Sequence, residues 1–211
     1  MSWWYAPAMV LAAYLMGSVA FGILVSPLFR LADPRSYGSH NPGATNVLRS
    51  GNKAAAVLTL LGDAFKGWLA VYLAQHFASA GGWGEATIAA AALAVFVGHL
   101  WPIFFRFQGG KGVATALGVL LGINVWLAVA VLVTFIIMMV FFRWVSFASI
   151  IAAVFAAFYH FLLFGAEPMS LAVIIMSALL VYRHRANIER LLAGKEPKLG
   201  QGKNKQSKTG R

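Results

Sequence analysis

Apolar residues run along this chain in long blocks, near residues 4–28, 55–76, 86–105, 112–142, 145–163 and 168–182, and polar residues fill the gaps between them. A helix of about 20 such residues crosses a hydrocarbon core of ~30 Å, so the pattern predicts an all-α integral membrane protein. The fourth block is too long for one ordinary span. It reads either as a single tilted helix or as two helices broken around Gly122, Ile123 and Asn124.

The distribution of charge separates these two readings. Arg30, Arg35, Arg49 and Lys53 lie in the first connection, Arg106 and Lys111 after the third block, Arg143 before the fifth, and nine cations from Arg183 onward, whereas the connections holding Glu85 and Glu167 carry no Lys or Arg. Cytoplasmic loops concentrate Lys and Arg, so a topology that gathers every loop cation on one side is preferred. Breaking the fourth block achieves this. The expectation is seven transmembrane helices, the N-terminus outside, the C-terminus cytoplasmic, and a short fourth helix. Residues 112–122 rise only about 16 Å as a helix, a length tolerated at membrane depth only inside protein. Residues 1–195 then form one transmembrane domain, and 196–211, rich in Gly and Lys, read as a disordered basic tail at the lipid surface.

Composition narrows the function. Hydrophobic residues make up 60% of the 211 and charged residues only 11%, so the formal charge of +11 reflects loop topology and not a nucleic-acid surface. Cysteine is absent, which excludes disulfides, thiolate metal sites and a cysteine nucleophile. No metal site and no cofactor are expected, and the oligomeric state is left open.

Three polar segments fall on the same predicted side. In Tyr37–Arg49 (YGSHNPGATNVLR), Gly38 and Gly43 allow turns whose N–H groups converge, and Ser39, Asn41, Thr45 and Asn46 add short hydrogen-bonding groups. Arg49 supplies a forked cation suited to phosphate. The plainer reading of this segment is a turn and a helix capped by Thr45 or Asn46. Gly109–Thr115 (GGKGVAT) places Gly109, Gly110, Gly112 and Lys111 at a helix start, where free N–H groups and the helix dipole favour an anion, with Thr115 one turn on. This segment lacks the leading glycine of a P-loop and the Ser or Thr after its lysine, so it reads as a phosphate loop without nucleotide hydrolysis. In Arg183–Glu196 (RHRANIERLLAGKE), His184 and Asn187 share a helix face, while Glu189, five residues from His184, lies about 140° away around the helix. Asp63 and Lys66, inside the second span, are expected to pair, and His99 to be an interior hydrogen-bonded histidine.

With GSHNPGATNVLR and its downstream GDAFKG, then GHLWPIFFRFQGGKGVAT, then RHRANIERLLAGKE, the chain resembles the bacterial acyl-phosphate:glycerol-3-phosphate acyltransferases, integral membrane proteins with three cytoplasmic motifs. The motifs cover the chain in order. His40 departs from the family's usual glycine and is expected to be a tolerated turn substitution. The resemblance implies transfer of a fatty acyl group from acyl phosphate to the 1-hydroxyl of glycerol 3-phosphate at the cytoplasmic face of the bacterial inner membrane. It also implies importance for Ser39, Arg49, Lys111, His184, Asn187 and Glu189. Acyl phosphate is already activated, so the site needs to hold two phosphates, orient a hydroxyl and stabilise an oxyanion. Two other classes fit less well: an acyl-CoA-dependent transferase, and a transporter of small phosphorylated solutes, whose site would lie near mid-membrane.

Overall fold

The computed structural model describes residues 4–81 and 84–200. Among these residues every regular element is helical: α1 Tyr5–Gly17, α2 Phe21–Leu28, α3 Ala44–Leu48, α4 Lys53–Gly81, α5 Glu85–Leu100, α6 Val113–Ile123, α7 Val125–Phe142, α8 Val145–Phe164, α9 Pro168–Arg183 and α10 Arg185–Leu192. Four of them, α4, α5, α7 and α8, are long and apolar enough to cross a bilayer, and the bent pairs α1–α2 and α9–α10 raise the total to six if each pair is one span. The short apolar helix α6 comes in addition.

Large apolar side chains cover the outside of this bundle. Trp126, Val140, Phe141 and Leu162 are all exposed. In water such a belt would be an aggregation surface; in hydrocarbon it is the solvent-facing side of the protein. The interior instead relies on small residues, among them Ala70, Ala74, Ala89, Ala91, Ala92, Ala152 and Ala156, so neighbouring helices approach closely and gain van der Waals contact that lipid cannot supply.

The fourth apolar block is two helices, as its charge pattern requires. Asn124 ends α6 and caps α7, its side-chain oxygen accepting from the N–H groups of Trp126 at 2.9 Å and Leu127 at 3.1 Å. Those two N–H groups would otherwise be unsatisfied in an apolar setting. Helix α6 packs chiefly against α4, so its short length is supported by protein.

The first apolar block, expected to be continuous, is broken. Helices α1 and α2 meet at 40° across Ser18–Ala20. The carbonyl of Val19, freed by the break, accepts from Nζ of Lys66 at 2.6 Å, and Lys66 lies 2.9 Å from the Asp63 carboxylate. The expected Asp63–Lys66 pair therefore forms, and Lys66 supplies a buried donor where a transmembrane helix loses its own.

Contacts with the bundle continue past residue 195. Trp144 Nε1 donates to the Glu196 carbonyl at 3.1 Å, and Leu199 N donates to the Arg143 carbonyl at 2.8 Å. Residues 196–200 thus dock on the α7–α8 connection. Residues 201–211, the remainder of the expected tail, lie outside the described residues.

Candidate functional site

The loop before α3 is built around one side chain. Asn46 Oδ1 accepts from Ser39 N at 3.0 Å, and its Nδ2 donates to the carbonyls of Pro34 at 2.6 Å and Tyr37 at 3.1 Å. All three bonds stay within the loop and the residue is buried, so Asn46 shapes this segment and has no group left for a ligand. Neither Thr45 nor Asn46 caps α3; Gly43 stands at that position, and its N–H donates to Asn41 Oδ1 at 2.9 Å. Gly38 has φ 63°, and a methyl group there would overlap Asn46 Oδ1 and crowd the Arg49 side chain. The turn thus lays Arg49 against bare backbone. Ser39, Thr45 and Arg49 are exposed. His40 adopts φ 53°, a left-handed conformation that explains a glycine preference, and its Nδ1 donates to the Arg35 carbonyl at 2.8 Å.

The glycine segment lies across the C-terminal end of α5. Gly110 N donates to the His99 carbonyl at 3.1 Å, satisfying a helix-terminal acceptor. On its other side, Arg183 donates from Nε to the Gly110 carbonyl at 3.1 Å and from Nη2 to the Gly109 carbonyl at 2.9 Å, with its guanidinium over the Trp101 ring at 5.8 Å. With both carbonyls held back by Arg183, Gly112 begins α6. Thr115 does not join this loop. It is fully buried, and its backbone packs on Gly67 of α4, because the third residue of α6 faces the α4 crossing.

The third segment meets the second through Lys111, whose Nζ donates to Asn187 Oδ1. Asn187 Nδ2 donates to Glu196 Oε1 at 2.6 Å, Ser146 Oγ donates to the same oxygen at 2.7 Å, and Arg190 Nε donates to Oε2 at 2.7 Å. The acid at this site is therefore Glu196, its side chain only 6% exposed, and not Glu189, which is exposed on α10. Helical periodicity gives the reason. Asn187 and Arg190, three apart, share one face of α10, and Glu189 points away from it. His184 sits at the bend of 57° between α9 and α10, buried, with Nδ1 donating to the Leu180 carbonyl at 2.8 Å. A carbonyl only accepts, so the proton is on Nδ1 and Nε2 of the neutral ring is the acceptor.

Burial pushes Lys111 down to about 8, and the positive charges of Arg190, Arg183 and Arg49 add to the effect against the opposing pull of Glu196. Burial likewise pushes the His184 imidazole down to about 4. For Glu196, burial works toward the neutral acid, but hydrogen bonds from Ser146, Asn187 and Arg190 outweigh it and hold the carboxyl below its ordinary range. A cluster of cations with one committed carboxylate is an anion site.

An apolar cavity of about 180 Å³ lies in the bundle, lined by Val113 and Leu117 of α6, Phe135 of α7, Ala153 of α8, and Met176 and Leu180 of α9. Two of these residues are near the polar segments along the chain, Val113 two residues after Lys111 and Leu180 four before His184. A larger groove of about 820 Å³ runs between α1 and α5, but its lining contains none of the three polar segments.

Of the residues singled out in the sequence, the structure brings Arg49, His184 and Asn187 within electrostatic or hydrogen-bonding reach of Lys111, with Ser39, Asn41 and Gly43 on the loop that carries Arg49. Arg183, Arg190, Ser146 and Glu196 were not anticipated. Glu196 had a signal, as the lone acid after Glu189 in an otherwise basic stretch. Arg183 had none, because a cation at the end of a span is ordinary topology.

A family model described as glycerol-3-phosphate acyltransferase matches residues 7–194. A glycerol-3-phosphate acyltransferase of Janthinobacterium sp. (strain Marseille) is 63% identical over 193 residues, covering 92% of this chain and 96% of that one. One of Herminiimonas arsenicoxydans is 61% identical, covering 92% and 94%. The crystal structure of PlsY (YgiH), an integral membrane glycerol 3-phosphate acyltransferase, in its glycerol 3-phosphate form superposes with a TM-score of 0.86 at 37% identity, covering 92% of this chain and 96% of that one. Its lysophosphatidic acid form gives 0.84 at 36%, covering 92% and 95%.

The Glu196 network carries a pH signature. A carboxyl held below its unfolded value contributes stability that is complete above that value and is lost as pH falls through the folded one. The melting temperature of Glu196→Gln in detergent should fall below wild type at pH 7, and the gap should begin to close only as pH falls below the ordinary carboxyl value of 4.5. A gap that persists unchanged at acid pH would remove the charge of Glu196 from the explanation.

Proposed function

This chain belongs to the glycerol-3-phosphate acyltransferase family, and from that membership we propose that it transfers a fatty acyl group from acyl phosphate to the 1-hydroxyl of glycerol 3-phosphate, releasing phosphate and lysophosphatidate for phospholipid synthesis. The observation that supports the reading is a cation cluster around Lys111 together with an apolar cavity among α6, α7, α8 and α9, since the substrates combine two phosphates with one acyl chain.

In this reading the N–H groups of the glycine segment and Lys111 hold one phosphate, Arg49 and the Ser39 loop hold the other, and the acyl chain enters the cavity beside Val113 and Leu180. The 1-hydroxyl oxygen attacks the acyl carbon, the carbonyl oxygen takes the negative charge, and the carbon–oxygen bond to phosphate then breaks. Asn187 and backbone N–H groups stand where they stabilise that oxyanion. Magnitudes favour a substrate proton acceptor. A phosphate monoester takes its proton near a pKa of about 6, whereas the His184 ring is held down to about 4. The hydroxyl proton accordingly leaves with the phosphate, and His184 Nε2 orients the hydroxyl by accepting its hydrogen bond. Glu189 has no place in this scheme, and Glu196 acts by positioning Asn187.

The placement proposed with this chemistry is a multi-pass protein of the bacterial inner membrane, with seven crossings, the N-terminus outside and the polar site facing the cytoplasm. The helix inventory of four to six spans plus the short α6 is compatible with seven, and the positive charge of the connections supports the orientation. The transmembrane domain extends through the docked residues 196–200, followed by a short basic tail.

Three outcomes follow. Purified protein incubated with glycerol 3-phosphate should form lysophosphatidate from palmitoyl phosphate and none from palmitoyl-CoA; equal rates with the two donors would reject acyl phosphate as the specific donor. Lys111, near 8 when unliganded, is charged below that pH and must take up a proton to bind a dianion above it. KM for the phosphate that it holds should rise by up to tenfold per pH unit above 8, and Lys111→Arg should flatten the rise. Single cysteines placed in this cysteine-free chain should react with an impermeant maleimide on intact cells at position 124 and stay protected at position 143. Labelling at 143 with protection at 124 would reverse the orientation.

A further inference from the structure

Resting on the proposed acyl transfer, we infer that Asp63 and His99 are positioning residues that hold the glycine segment in its phosphate-binding shape from beneath. Both are buried, on α4 and α5 respectively, and Asp63 Oδ1 lies 3.5 Å from His99 Nδ1 and 2.9 Å from Lys66 Nζ. Lys66 is accounted for by the broken helix, since it donates to the Val19 carbonyl, and Asp63 balances that buried cation. An Asp–Lys pair is already neutral. It does not require an imidazole beside it, and a polar ring buried among transmembrane helices is costly unless something uses it.

The opposite edge of the ring gives its use. A methyl group built on Gly110 would overlap Nε2 of His99, and the next nearest atoms, at 2.8 Å and 3.1 Å, belong to the same imidazole. The Gly110 Cα therefore rests on the ring, and its N–H is bound to the His99 carbonyl. Asp63 faces Nδ1 at 3.5 Å without a hydrogen bond and biases the ring's orientation by its charge, the ring sets the height of Gly110, and Arg183 clamps the same residue from above through its carbonyl. A loop fixed on two sides presents its remaining N–H groups with little reorganisation when phosphate arrives.

The ring and the glycine fit each other, so a double-mutant cycle tests the contact. Wild-type turnover is measured first, and its absence would count against the proposed reaction and not against the positioning role. Gly110→Ala should raise KM for glycerol 3-phosphate or acyl phosphate, whichever the loop holds, by about 30-fold or more. His99→Ala should raise the same KM by about tenfold with kcat within about threefold, as loss of uniform binding does. The double variant should recover at least about tenfold relative to Gly110→Ala, because the new methyl group fills the space that the ring leaves. Asp63→Asn, which keeps shape and loses charge, should raise the same KM by about three- to tenfold with kcat nearly unchanged, and it carries the test where His99→Ala does not yield folded protein. Additive losses in the cycle, an unchanged KM in Asp63→Asn, or losses confined to melting temperature would each overturn the inference.

Discussion

Lys111, Arg183 and Arg190 crowd one edge of the bundle, close enough that each arginine depresses the charge of Lys111, and only the Glu196 carboxylate stands among them to offset this. Like charges so close and half removed from water repel strongly, since the effective dielectric constant is far below that of bulk water. The arrangement survives because Glu196 accepts from Ser146, Asn187 and Arg190 together, and so joins α8, α10 and, through Asn187, the glycine segment. One acid thus holds a surplus of positive charge in place. In the proposed reaction that surplus is what a substrate phosphate neutralises.

The same requirement, that no polar group be left unsatisfied away from water, governs the helices. Both interruptions inside the apolar blocks are answered locally: Lys66 for the Val19 carbonyl, Asn124 for the first N–H groups of α7. Each answer then has a consequence for the site. Lys66 brings Asp63 into the interior, and Asp63 lies against the histidine on which the glycine segment rests. The Asn124 break confines α6 to Val113–Ile123, so that its N-terminus begins directly after the glycine segment. Fold and site are therefore built from the same few polar contacts.

How much of this was legible in the sequence depends on whether the information is local. Hydrophobic block length and the sidedness of Lys and Arg determined an all-helical membrane fold, and charge parity alone located the break at Gly122–Asn124, because transfer of apolar and charged groups to lipid is a property of each residue where it stands. The polar motifs, rich in glycine and short donors, pointed to Arg49 and Lys111 for a similar reason, since phosphate chemistry needs such cations wherever the chain puts them, whereas His184 and Asn187 came from the family resemblance. Three matters required the tertiary structure. The return of the chain past Gly194 brought Glu196 to Asn187, where the family resemblance had named Glu189. Packing turned Thr115 toward α4 and committed Asn46 to its own loop, removing both from the ligand side. The hidden break after Gly17 explained a buried lysine that composition could only flag as expensive, because which carbonyl needs a donor is decided by the neighbours that fold against it and not by the residues beside it in sequence.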